Sequence, residues 1–175
     1  MLRPLYTLLL TGALLGVLPG LLLAPAARGD GAPKVHIPDA SDFQADAHLA
    51  AKRKLPLMVV FTADFCSYCE ELEADYIRPM IISGDYTDKV IIRRVKLDSY
   101  GNLRDFDGQK ISVDDFSLRY RVSVTPTVVF LDPQGKQLVK PLIGISTPSF
   151  YGGELDSAID TSLERLHGES RLSEL

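Results

Sequence analysis

Residues 55–69 read LPLMVVFTADFCSYC, and this stretch decides the fold. Its first seven residues are an unbroken apolar run of strand length, which is typical of a strand buried on both faces of a sheet. Two cysteines follow after a short loop. Behind them, one apolar helical stripe runs through Cys69, Leu72, Tyr76 and Met80. Because these positions recur at three- and four-residue spacing, the stretch predicts a buried strand, a loop and a helix that begins at the cysteines.

The position of the cysteines at a helix start predicts their chemistry. Cys66 and Cys69 are three residues apart, so one helical turn brings them close enough to form a disulfide. The helix dipole and the free backbone N–H groups at a helix start favour a thiolate at Cys66, which makes it the nucleophile. Cys69 lies on the core-facing stripe, so we expect it to act as the resolving thiol that releases a mixed disulfide from Cys66.

Two other interpretations of the cysteine pair remain open, a structural bridge and a metal site. A bridge would close a very short loop, and short loops add little stability. Two thiolates are half of a typical zinc ligand set, and His36, His48 and His167 lack ligand-like spacing. Glu70 stands where a haem-attachment motif requires His. We therefore predict a redox pair with no metal and no cofactor beyond the cysteines.

The rest of the chain predicts alternating helices and strands. Residues 98–110 are polar and irregular, and Pro79 is expected to end or kink the helix of the cysteines. Ser112 and Asp115 have the spacing of a capping box. The predicted elements are a helix at 42–54, a strand at 55–61, the helix from Cys66, a strand at 90–97, a helix from Ser112, strands at 127–131 and 137–143 joined by a turn, and a last helix that Gly168 ends.

This order predicts an α/β domain at residues 41–168, with a tail at 169–175. Strands joined through a helix are expected to be parallel, and the hairpin adds antiparallel strands. The result is one mixed sheet with helices on both faces. The charge balance, 19 Lys and Arg against 23 Asp and Glu, leaves no basic surplus for binding nucleic acid. Two cysteines exclude a scaffold of several disulfides.

The first 27 residues predict a signal peptide. Arg3 precedes an uncharged apolar run at 5–26 that ends in small residues. An uncleaved membrane anchor is the alternative, because the run approaches the ~20 apolar residues that span a bilayer. Residues 28–40 contain two Pro and two Gly without periodicity, and predict a flexible tether. The chain is therefore expected to be exported to the periplasm or another extracytoplasmic space, where paired cysteines are typically oxidised.

Two stretches resemble the thioredoxin family. VVFTADFCSYC, at 59–69, is similar to the family's strand and CxxC motif, and YRVSVTPTVVFLDPQG, at 120–135, is similar to its second signature, a proline leading into a strand. The resemblance covers about residues 41–167 and implies a thioredoxin-like three-layer fold. The insert around 98–112 resembles that of periplasmic thioredoxins of the sulfur-oxidation type.

The resemblance implies a role for each matching residue. Cys66 attacks and Cys69 resolves, and the two form a redox-active disulfide. Pro126 matches the family's cis-proline, packed against the disulfide. The backbone of Thr125 would pair with a bound substrate segment as a β-strand does. Phe65, where the family has Trp, keeps an apolar platform for substrate.

Two further positions qualify the resemblance. Val60 stands where cytosolic members keep a buried Asp that is thought to assist deprotonation of the resolving thiol. Lys96 lies where a family Lys faces the active site, although Arg94 would serve in a shifted register. Asp64 and Glu70 place negative charge beside the cysteines, which disfavours a thiolate and predicts a reductant rather than a strong oxidant.

The predicted function is an exported protein thiol–disulfide oxidoreductase that works in the reducing direction. Its expected partners are proteins with disulfides or thiols and a membrane-bound thiol reductant that donates electrons. We expect a monomer that contacts the membrane only if the signal segment is uncleaved. The alternative is a non-catalytic thioredoxin-fold chaperone or redox-regulatory module with a structural or sensing CxxC.

Overall fold

The computed structural model describes residues 35–173, and within them four strands form one mixed sheet. Its central strand, β1 (Leu57–Thr62), is buried at every residue, which confirms the prediction from the apolar run. On one side β1 pairs in parallel with β2 (Ile91–Lys96). On the other side it pairs antiparallel with β5 (Thr127–Leu131), and β6 (Leu142–Ile143) follows at the edge.

Helices cover both faces of this sheet, as predicted. Leu57, Val59 and Phe61 of β1 face a core that includes residues of α1 (Phe43–Arg53) and α4 (Val113–Arg119). Met58 and Val60 face the opposite core, which includes residues of the helix after the cysteines and of α5 (Pro148–Ser173). Because side chains alternate along a strand, one apolar strand supplies both cores and holds the three layers together.

Side-chain caps begin two of the predicted helices, and the one at Ser112 confirms the predicted capping box. The Asp42 carboxylate accepts a hydrogen bond from the Ala45 N–H at 2.9 Å, at the start of α1. At the start of α4, the Ser112 hydroxyl accepts from the Asp115 N–H at 3.0 Å and donates to the Asp115 carboxylate at 2.7 Å. Both caps satisfy backbone donors that a helix start leaves without partners.

The helix after the cysteines has three parts. An α-helix, α2 (Ser67–Glu71), continues into a π-helical segment (Leu72–Ile77) and then into α3 (Arg78–Ser83). Pro79, which is expected to end or kink this helix, does not end it. Pro79 is the second residue of α3, directly after the π-helical segment, and the helix ends at Gly84, whose φ is 75°.

The segment predicted as irregular contains a second, small sheet. Within the insert, β3 (Asn102–Arg104) pairs antiparallel with β4 (Lys110–Ser112). Phe106 lies in the hairpin turn and stacks on Phe43 of α1, with 5.2 Å between the ring centroids. Each strand reads polar–apolar–polar over only three residues, which is too short a run for alternation to predict a strand.

Strand direction and strand length also differ from the prediction. β5 follows β2 through a helix, but it pairs on the far side of β1, runs antiparallel to β1 and is not a neighbour of β2. Of the predicted strand at 137–143, only β6 and an isolated bridge between Leu131 and Gln137 are present. Pro141 has no N–H to donate in this stretch, which limits pairing.

Both predicted domain limits shift outward. Ile37 is buried, the Ala40 N–H donates to the Arg94 carbonyl at 2.7 Å, and the Arg94 N–H donates to the Pro38 carbonyl at 2.8 Å. The end of the predicted tether thus pairs with the edge of β2. α5 continues through Gly168 to Ser173, since one helical glycine costs only ~1 kcal/mol.

The predicted signal peptide, 1–27, and tether residues 28–34 lie outside the described residues. Among residues 35–173, no helix is long and apolar enough to cross a membrane.

Candidate active site

Cys66 and Cys69 form a disulfide at the start of α2, with their Cα atoms 5.2 Å apart. Cys66 is the N-cap residue, and its Sγ accepts a hydrogen bond from the Cys69 N–H at 3.2 Å. Cys66 is half-buried, whereas only 3% of Cys69 is exposed. The pair is therefore asymmetric, with one sulfur near solvent at a helix N-terminus and the other against the core.

The loop between β1 and α2 holds Phe65 in an unusual conformation. Its φ is 55°, in the left-handed region that bulky residues rarely adopt, and its side chain is fully exposed. The next residue, Cys66, returns to extended backbone, and its carbonyl accepts hydrogen bonds from the N–H groups of Cys69 and Glu70 at 3.0 Å. This change of direction places the Cys66 side chain at the helix N-terminus.

The loop before β5 approaches Cys66. The Thr125–Pro126 peptide bond is cis, and the Thr125 hydroxyl donates to Cys66 Sγ at 3.5 Å. Val124, the preceding residue, is half-exposed, and so is Tyr68 inside the CxxC motif. The loop of Phe65, the start of α2 with Cys66 and Cys69, and the loop of Thr125 and Pro126 thus come together at the disulfide.

Lys96 and Asp64 form an ion pair near the cysteines, with 2.5 Å between Nζ and Oδ1. The hydrogen bond to the Asp64 carboxylate raises the pKa of Lys96, so Lys96 stays protonated. The backbone N–H of Asp64 donates to Asp98 Oδ2 at 2.7 Å. The sequence leaves Lys96 and Arg94 as candidates for the cation that faces the active site. Lys96 is the one that pairs with the loop of Cys66.

Arg94 belongs to a second ionic cluster, which the sequence analysis missed. Its Nη1 lies 3.1 Å from Oε1 of the buried Glu73, and its Nε lies 2.6 Å from Asp39. That hydrogen bond lowers the pKa of the Asp39 carboxyl. Arg78 also contacts Glu73, at 3.3 Å, and the five-residue separation fits the wider turn of the π segment. Glu73 follows Cys69 by four residues, so its place on the core-facing stripe was a signal available in the sequence.

Residues of both clusters line a cavity of about 450 Å³, and Cys69 is part of its wall. Its charged lining combines Asp64 and Lys96 with Glu73, Arg78 and Arg94. No group of three or more His, Cys, Asp or Glu in residues 35–173 is arranged to hold a metal ion. The chemistry available here is that of the two sulfurs, one accessible to a partner and one shielded.

A mixed sheet between helical layers, with a CxxC disulfide at a helix start and a cis-proline beside it, defines a thioredoxin-fold, oxidoreductase-like protein. The chain belongs to the family of thioredoxin-like domains, whose family model matches residues 43–151.

Solved structures with the same fold are distant in sequence. One described as the DsbH oxidoreductase is similar at a TM-score of 0.54 and 14% identity, over 86% of this chain and 95% of that one. The solution structure of a thioredoxin from Thermus thermophilus gives a TM-score of 0.50 and 22% identity, over 70% of this chain and 87% of that one. No curated protein sequence gives a significant match. These likenesses establish the fold.

Proposed function

We propose that this protein is an exported thiol–disulfide oxidoreductase that reduces disulfides in partner proteins. The observation that carries the proposal is the asymmetry of the CxxC pair: Cys66 is only partly buried at a helix N-terminus, whereas Cys69 is buried. A structural bridge has no need for an accessible sulfur next to exposed apolar side chains. A redox pair needs an accessible sulfur for the attack and apolar side chains beside it for binding the substrate.

In the proposed reaction, the reduced protein attacks a substrate disulfide with the Cys66 thiolate. The substrate S–S bond breaks, one substrate sulfur leaves as a thiolate, and a mixed disulfide joins Cys66 to the other. Cys69 then loses its proton and attacks Cys66 Sγ, and the second substrate sulfur leaves and is protonated. Two electrons pass to the substrate and the Cys66–Cys69 disulfide is restored. The proposed electron donor, a membrane-bound thiol reductant, returns it to the dithiol.

The substrate is proposed to bind across the two loops that meet at Cys66. A segment whose sulfur reaches Cys66 Sγ would lie against Phe65, which precedes it, and Thr125, whose hydroxyl contacts the same sulfur. Thr125 would pair with the segment through its backbone, as a β-strand does, and the cis-proline Pro126 would fix the conformation of the loop at this position. The proposed setting is the periplasm or another extracytoplasmic space, which the predicted signal peptide at 1–27 supports, and the protein is proposed to act as a monomer.

The insulin reduction assay tests this function. With dithiothreitol as donor, we expect catalysed precipitation of the insulin B chain and none from a Cys66→Ser control. Absence of turnover by the folded, reduced protein would contradict the proposed enzyme. It would favour the alternative, a non-catalytic chaperone or regulatory module.

We also predict a reducing rather than a strongly oxidising potential. Glu70 is exposed beside the cysteines, and Lys96 is already paired with Asp64, so this cation adds little net positive charge to stabilise a thiolate. Equilibration with glutathione buffers should give a value nearer the ~−270 mV of thioredoxin than the ~−120 mV of the oxidant DsbA. A value at the oxidising end would contradict the predicted direction but not the exchange reaction.

A further inference from the structure

Two loops leave the sheet at the same edge, because β1 and β2 are parallel neighbours. The loop after β1 carries Cys66, and the loop after β2 begins the insert with Asp98. Two hydrogen bonds join them. The Leu97 N–H donates to the Thr62 carbonyl at 2.8 Å, and the Asp64 N–H donates to Asp98 Oδ2 at 2.7 Å. The second bond lies two residues before the proposed nucleophile.

The conformation of Phe65 needs such support. A left-handed φ is unfavourable for a bulky residue, and it persists only where the surrounding structure holds it. The Phe65 side chain is fully exposed, so packing does not hold it. On its C-terminal side, Cys66 is fixed as the helix N-cap. On its N-terminal side, the restraint is the hydrogen bond from Asp64 to Asp98.

The two oxygens of the Asp98 carboxylate differ, and Oδ2 accepts the Asp64 N–H. Among the described residues, Asp98 Oδ1 is a buried atom without a hydrogen-bond partner. An unpaired buried acceptor is unfavourable, and such atoms in native proteins call for an explanation. The bond from Oδ2 to the active-site loop supplies one.

We propose that Asp98 is a positioning residue for the exchange reaction. By accepting the Asp64 N–H it fixes the turn at Phe65 and so directs Cys66 Sγ toward the incoming disulfide. Its role in exchange rests on the proposed function. The positioning of Cys66 does not, because it can be measured on the thiol alone. Through Asp98, its first residue, the insert at 98–112 would thus help to position Cys66.

Two substitutions separate the hydrogen bond of Asp98 from its charge. Asp98→Asn removes the charge but keeps an oxygen that can accept the Asp64 N–H, whereas Asp98→Ala removes both. The control is Asp107→Ala. Asp107 is exposed in the same insert, and its carboxylate accepts the Gln109 N–H at 2.9 Å, away from the cysteines. The other charged groups near Cys66, namely Asp64, Lys96 and Glu70, stay unchanged in all three variants.

The measurement is the rate of Cys66 alkylation by iodoacetamide in the reduced protein across a pH series. Both Asp98 variants should lower the midpoint of the profile equally, because each removes a nearby negative charge. Only Asp98→Ala should lower the limiting rate constant that alkylation reaches above the midpoint. The decrease should be about tenfold, which is the effect of losing one hydrogen bond to a charged group. Equal limiting rates for Asn and Ala, or a matching loss in Asp107→Ala, would overturn the proposal.

Amide hydrogen exchange of the wild-type protein covers the case in which Asp98→Ala does not fold. The Asp64 N–H should exchange far more slowly than in a free peptide, and about as slowly in Asp98→Asn. Exchange at the free-peptide rate would overturn the proposal. Neither readout requires turnover, so a failed insulin assay would remove the proposed function and leave the positioning of Cys66 to be judged separately.

Discussion

Cys66→Ser should abolish thiol–disulfide exchange, while Cys69→Ser should keep the first half of the reaction and accumulate mixed disulfides. Cys66 is only partly buried and lies at the N-terminus of α2, where backbone N–H groups favour the thiolate. Cys69 is buried, so a substrate disulfide reaches it only through Cys66. Non-reducing electrophoresis of the Cys69→Ser protein, incubated with a periplasmic extract, should show dithiothreitol-sensitive adducts that are absent from the Cys66→Ser protein.

Alkylation of the reduced protein gives an independent check of this assignment. At neutral pH, Cys66 should react at least tenfold faster than Cys69, a difference that corresponds to ~1.4 kcal/mol in activation free energy. Mass spectrometry of peptides labelled for short times would measure both rates. Equal rates, or adducts carried by Cys69 in the Cys66→Ser protein, would contradict the assigned roles.

The predictable part of the fold comes from residues whose local pattern and tertiary environment agree. β1 could be predicted because an apolar run of strand length has few alternatives beside a CxxC motif. The start of α4 followed from Ser112 and Asp115, which interact within one turn. In both cases the information lies within a few neighbouring residues.

The missed elements depend on residues that are distant in sequence. β3 and β4 are only three residues long, too short for their alternation to be recognised, and Phe106 in their turn stacks on Phe43 from another part of the chain. Glu73 and Arg94 are 21 residues apart, and a carboxylate on an otherwise apolar stripe does not reveal which cation it contacts. The contact of Asp98 with the Asp64 N–H likewise spans 34 residues. The cysteine pair could be found from sequence, but the groups that surround it could not.

An aromatic cluster fills the core layer beneath the insert. Phe116 of α4 is fully buried and stands at the centre of an aromatic cluster. Its ring centroid lies 4.5 Å from that of Phe43, 5.2 Å from Tyr120, 6.2 Å from Phe61 and 6.5 Å from Phe106. Phe116→Ala removes the side chain that joins α1, α4, β1 and the insert, and it leaves a cavity among rigid rings.

We expect Phe116→Ala to lower the free energy of unfolding by about 3–5 kcal/mol, the usual cost of deleting a buried aromatic ring. This is a large share of the ~5–15 kcal/mol that a domain of this size has in total. Urea unfolding of the oxidised protein would measure the loss, with Phe150→Ala as the control. Phe150 is 70% exposed, so its removal should change the stability by no more than about 0.5 kcal/mol. A loss below ~1 kcal/mol in Phe116→Ala, with an unchanged dependence on urea, would mean that the stacked rings do not form the rigid core described for this face of the sheet.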